Sequence, residues 1–172
     1  MIFFILTAVG WVGLVVQLRQ PSPPWMLGGQ ILPVLAVLLY AAIYTHSVNG
    51  WLQALLLGVA WDCLMGNKLG CTSPCLLAIV SLVKTQPLDR LRQYVVYQII
   101  VCVAAIALFF LMHLWLVTWV EKRNLYFSKD IVWNVAVSAL INGVFCPIFF
   151  SLLHPIFLRL GHQPPREGGY HA

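Results

Sequence analysis

Apolar positions fall into six runs, at about 2–18, 31–46, 51–65, 70–83, 94–120 and 131–153, separated by short polar connections. A helix needs about 20 residues to cross ~30 Å of hydrocarbon. With a residue or two of polar flank, runs 1, 2, 5 and 6 meet that length. Run 5 is long enough to tilt or to project past the bilayer. The 51–65 and 70–83 runs are each worth roughly 22 Å of helix, short of a full crossing. They are joined by Gly66-Asn67-Lys68-Leu69-Gly70, which is turn chemistry. Two short tilted spans or one re-entrant hairpin fit equally. Both return the chain to the side it left, so the sidedness of the remaining runs is unaffected. The predicted fold is all-α: a polytopic transmembrane helical bundle of six helices, with a short or re-entrant hairpin at 51–83. No internal repeat or coiled-coil heptad is visible.

Composition makes lipid the solvent for most of the chain. Hydrophobic residues are 61% and charged residues 9%, against about 45–50% and 25% in soluble domains. Residues 1–160 read as one transmembrane domain, and the Gly/Pro/His-rich stretch 161–172 as a short disordered tail. The N-terminal run has no basic segment before it and no small-residue cleavage pattern, so it is expected to stay as a span. The net charge of +5 comes from cations spread along the connections, with no basic stripe of the kind nucleic acid requires. Let side A hold the N-terminus, the 46–50 turn, the 84–93 loop and the C-terminal tail. Side A then carries Lys84, Arg90, Arg92, Arg159 and Arg166, and side B carries Arg19, Lys68, Lys122, Arg123 and Lys129. Five against five leaves the orientation open under the positive-inside rule. Tyr40, Tyr44, Trp51, Tyr94 and Tyr97 gather near side A, and Trp115, Trp119, Tyr126 and Trp133 near side B, as interfacial belts would.

Candidate chemistry centres on Asp62, the one carboxylate inside an apolar run. Such a group is costly unless it faces a partner or a water-filled cavity. Gly58, Asp62, Gly66 and Gly70 recur every four residues, and small residues let another backbone approach closely. Asp62 is expected to bond amides of the 66–70 turn, or to pair with Lys68, and so lock the hairpin. Asp62→Leu is expected to harm assembly less than Gly66→Leu, because the turn needs a residue tolerant of unusual backbone angles whereas an apolar side chain removes a desolvation cost. His113 is expected to be neutral and bonded to another helix. Asn142 reads as interhelical glue, Pro33 as a helix start and Pro147 as a kink. Cys63, Cys71, Cys75, Cys102 and Cys146 read as small packing residues without zinc-site spacing. No phosphate-binding glycine loop, metalloprotease motif or nucleophile elbow appears, and a lone carboxylate excludes an aspartyl dyad. The chemistry expected is none: no catalytic residue, metal or cofactor.

Three stretches carry a family resemblance. Leu32-Pro33-Val34 opens a run ending in Tyr40-Ala41-Ala42. Gly50 through Gly70 reads Gly-x7-Gly-x3-Asp-x3-Gly-x3-Gly, with Asp62, Gly66, Leu69 and Gly70 in matching places. Leu140-Ile141-Asn142-Gly143 leads to Pro147 and Phe149 through Leu153. With the length and hydropathy, these resemble the bacterial rod shape-determining MreD family. The chain departs from it at Trp61 and Cys63, where aliphatic residues are usual, and at Gly70 through Pro74, where the next helix usually starts apolar. The resemblance implies a non-enzymatic, multi-pass inner-membrane part of the cell-elongation machinery that helps organise peptidoglycan synthesis. Besides membrane lipids, the implied partners are an MreC-like protein, an MreB-like filament, and a RodA-type glycan polymerase with its transpeptidase. It also implies a fold similar to the substrate-binding subunits of vitamin transporters. A substrate-binding transport subunit is therefore the alternative function, with Asp62 near a midplane site.

Overall fold

The computed structural model describes residues 2–19, 30–65, 70–121 and 129–159. Seven helices occupy nearly all of them: α1 (Ile2–Arg19), α2 (Pro33–Tyr44), α3 (Ser47–Met65), α4 (Thr72–Lys84), α5 (Leu88–Gln93), α6 (Val95–Glu121) and α7 (Lys129–Arg159). No strand occurs among the described residues. The chain is an all-α helical membrane bundle. Gly66, Lys68, Leu69, Tyr126 and the 161–172 tail lie outside the described residues.

Helix lengths correct the reading of runs 2 and 3. The second run was expected to span, yet α2 has 12 residues, about 18 Å. Pro33 starts it, because a proline at the first helical position lacks only a donor that would have no intrahelical partner. Thr45 ends it by turning extended, and its hydroxyl donates to the Ala41 carbonyl at 2.6 Å. The third run was expected to be short, yet α3 has 19 residues and is long and apolar enough to cross a membrane. It begins at Ser47, before the apolar run, because polar side chains are no obstacle to helix at an interface. The other helices of span length are Val95–Val120 and Lys129–Arg159, while Phe3–Arg19, Pro33–Tyr44 and Thr72–Lys84 are shorter apolar helices. The six-residue α5 in the 84–93 loop was not anticipated.

The short α2 is the centre of the bundle. Every residue from Val34 to Tyr44 is buried, and α1, α3, α4, α5 and α7 all pack on it. A helix that is apolar on all sides can sit only where other helices cover it. Its neighbours fix the helix directions. Phe150 and Phe157 of α7 lie against Tyr40, with ring centroids 5.8 and 5.5 Å away, and His154 lies 5.0 Å from Tyr44. Asn142 meets Leu32 at the other end, so α2 and α7 run parallel. Tyr40 and Tyr44 are therefore core rings and not part of a belt. Trp51, Tyr94, Trp115, Trp119 and Trp133 are exposed and fit the two belts. Tyr94 to Trp115 along α6, and Trp133 to His154 along α7, each measure about 31 Å of helix, which matches the hydrocarbon thickness. Both helices continue past side B. Pro147 lies inside α7, and so does Pro155.

Candidate functional site at the Asp62 turn

α3 and α4 pack as an antiparallel pair that closes on Asp62. Gly58 makes the close approach possible: a Cβ there would stand 2.6 Å from Ser73 Cα and 2.8 Å from Ser73 N. That contact brings the first turn of α4 under the Asp62 carboxylate. Oδ2 accepts from the Gly70 amide at 2.8 Å, both oxygens accept from the Thr72 amide at 3.1 and 3.2 Å, and the Thr72 hydroxyl donates to Oδ1. Asp62 is fully buried. Gly70 turns through φ +94°, the left-handed region open to glycine, to aim its amide inward.

The arrangement is a helix cap supplied by another helix. The residue preceding α4 is Cys71, which makes no side-chain cap. The first amides of a helix have no intrahelical partner, and in hydrocarbon no water replaces one. The carboxylate satisfies one of these donors, the Thr72 amide, together with the Gly70 amide of the preceding turn, and stands at the positive end of the helix dipole. Pairing with Lys68 was the other option; Lys68 lies outside the described residues. Thr72 as donor was missed, although the polar Gly70-Cys71-Thr72-Ser73-Pro74 stretch carried the signal as a departure from the family pattern. Its two hydroxyl residues are the ones that meet Asp62 and Gly58. The three donors on the Asp62 carboxylate weigh against Asp62→Leu in its ranking with Gly66→Leu, and Gly66 lies outside the described residues.

Asn142 does for α2 what Asp62 does for α4. Its Oδ1 accepts from the Leu32 amide at 2.7 Å, and its Nδ2 donates to the Gln30 carbonyl at 2.6 Å and to the Ser138 carbonyl at 2.7 Å. The Ser138 hydroxyl accepts from the Gln30 amide at 3.0 Å. The side-chain amide thus pairs with the non-helical backbone that leads into α2. Asn142 lies roughly 18 Å along α7 from the side-A ring of His154, and the backbone it meets passes from exposed Gln30 through half-buried Ile31 to buried Leu32.

The far end of α2 is closed by two cations. Arg92 donates to the Ile43 carbonyl through Nε at 3.3 Å and Nη2 at 2.9 Å, and Lys84 Nζ donates to the Thr45 carbonyl at 3.0 Å. Positive charge there faces the negative end of the helix dipole. Read from sequence, both were only markers of orientation.

The remaining candidates are packing residues. Gly50 packs on Val80 and Ala42 at ordinary distances, and Gly143 lies where α7 crosses Val103 of α6. Pro33 packs beside Gly13. His113 was expected to bond another helix; its buried Nε2 has no partner among the described residues, and its ring stacks on Phe109 at 5.5 Å. Cys71, Cys75, Cys102 and Cys146 are buried, as packing residues would be, whereas Cys63 was expected to pack and is exposed, and all five are free thiols. No three His, Cys, Asp or Glu side chains converge among the described residues.

No curated protein and no solved structure matches the chain. A family model described as rod shape-determining protein MreD matches residues 1–156, which takes in the α3–α4 cap, the Asn142 clamp and every helix but the last residues of α7. The chain therefore belongs to the MreD family of membrane proteins, whose role is rod shape determination.

Proposed function

We propose that the chain is a non-enzymatic adaptor, multi-pass in the bacterial inner membrane, that helps organise peptidoglycan synthesis during cell elongation. The observation that carries this reading is where the polar groups point. Asp62, Asn142, Lys84 and Arg92 all bond backbone inside the bundle. They hold short helices in place, and the Asp62 oxygens already have three donors between them. Meanwhile α6 and α7 present apolar side chains outward, among them Leu111, Trp115, Trp119, Leu140, Val144 and Leu152. A rigid bundle with its polarity turned inward and long apolar helices on its perimeter suits docking to other membrane helices. An MreC-like protein is the direct partner in this reading. An MreB-like filament and a RodA-type polymerase with its transpeptidase are members of the same assembly. Transport binding at Asp62 would need an acceptor facing a hydrated site, which those three donors disfavour.

The test is co-purification from mild detergent. The full chain should retain an MreC-like partner, and a variant with Leu140 and Val144 replaced by asparagine should lose it while keeping its helicity. Failure of the unaltered chain to associate with any elongation component, where those components associate with one another, overturns the adaptor reading.

A further inference from the structure

At the side-A end, the short α5 turns Leu88 and Leu91 inward, where both are buried. Arg92 reaches the Ile43 carbonyl of α2. These three contacts fix the helix rotation and leave Arg90 exposed. Arg90 is the rim of a laterally open groove of about 540 Å³, completed by Tyr94, Val96, Tyr97 and Ile100. One wall is held by the Tyr97 hydroxyl, which donates to Gln86 Oε1 at 3.0 Å. Val96 and Ile100 are four apart on α6, so they form a stripe leading from the rim towards the hydrocarbon. Val96 is 69% exposed and Ile100 59%.

Charge and depth together select the occupant. Of the three cations on this segment, Lys84 and Arg92 bond α2 carbonyls, and Arg90 faces the groove. A guanidinium beside the Tyr94 ring, at the level where Tyr and Trp mark the interface, suits a phosphate. The aliphatic stripe below it suits an acyl chain. We propose that this groove binds a phospholipid with an anionic head group, drawn from the leaflet on side A, its phosphate against Arg90 and one chain along Val96 and Ile100. Free phosphate lacks the hydrocarbon that the stripe would cover. The site is independent of the adaptor reading, since it concerns lipid and not a protein partner.

The full chain, purified in an uncharged detergent, is mixed with phosphatidylglycerol, with phosphatidylcholine of the same chains, or with inorganic phosphate, and retained adducts are counted by native mass spectrometry. Both lipids carry the phosphodiester, but the choline cation of phosphatidylcholine offsets its charge beside Arg90, so phosphatidylglycerol should be retained about tenfold better. Arg90→Gln should remove that preference, Ile100→Ser should weaken retention of both lipids, and Arg159→Gln, elsewhere on side A, should change neither. Equal retention of the two lipids by the unaltered chain overturns the proposal whatever the variants do. So does Arg90→Gln retaining phosphatidylglycerol as the unaltered chain does, or inorganic phosphate displacing the lipid at comparable concentration.

Discussion

Replacing Asp62 by leucine measures what a helix start needs inside a membrane. The carboxylate accepts from the Gly70 amide, the Thr72 amide and the Thr72 hydroxyl. Hydrogen bonds to a charged group are worth about 1.5–3 kcal/mol each, so three come to roughly 4–9 kcal/mol. Against this stands the cost of holding a carboxylate in hydrocarbon, about 3 kcal/mol on the insertion scale. The difference predicts a net destabilisation of roughly 1–6 kcal/mol for Asp62→Leu. Two milder changes calibrate the argument. Asp62→Asn keeps one acceptor oxygen and should cost about 1–3 kcal/mol. Thr72→Val removes only the hydroxyl, which an unfolded helix in lipid can satisfy on its own backbone, and should cost about 0.5–1.5 kcal/mol. The two amides have no such alternative. The assay is unfolding of purified protein by titrating a denaturing into a mild detergent, followed by helical circular dichroism and tryptophan emission. Midpoints should fall in the order Thr72→Val, Asp62→Asn, Asp62→Leu. A leucine variant as stable as the unaltered protein, or less harmed than Thr72→Val, would refute the capping argument.

Gly58→Ala should cost about 1–3 kcal/mol, because its Cβ would meet the Ser73 backbone at 2.6 Å, whereas Gly50→Ala should be neutral or stabilising by up to about 1 kcal/mol, its nearest neighbour being Val80 Cγ1 at 3.4 Å; the same detergent titration compares the pair, and equal midpoints would contradict the close approach. Asn142→Leu leaves the Leu32 amide and Gln30 carbonyl without the partners they now have and should cost about 2–4 kcal/mol. Its effect should also appear as faster labelling of a cysteine introduced at Ile31. Arg92→Leu should destabilise by about 1–2 kcal/mol, and Arg92→Lys should recover part of that as a point charge without the two-nitrogen contact, read as the shift in thermal aggregation temperature of the detergent-solubilised protein.

The membrane class followed from run length and composition, because no soluble packing can bury that much apolar surface. The Asp62 and Asn142 positions also stood out in the linear chain, since a polar group inside an apolar run is costly and must find a partner. The Gly70 amide was legible as a partner of Asp62, because it belongs to the turn at 66–70; what the chain could not reveal was Thr72 and the partners of Asn142. Asp62 bonds residues eight and ten positions away, and Asn142 bonds Leu32 and Gln30 across more than a hundred. Helix ends were misjudged for the same reason. The edge of an apolar run marks where side chains become polar, whereas a helix ends where its backbone finds other partners. In α2 those partners are Asn142 at one end and Arg92 and Lys84 at the other, and only the folded chain brings them within reach. Its burial on all sides, which separates a central rod from a lipid-facing span of equal hydrophobicity, is likewise a property of the neighbours and not of its own twelve residues.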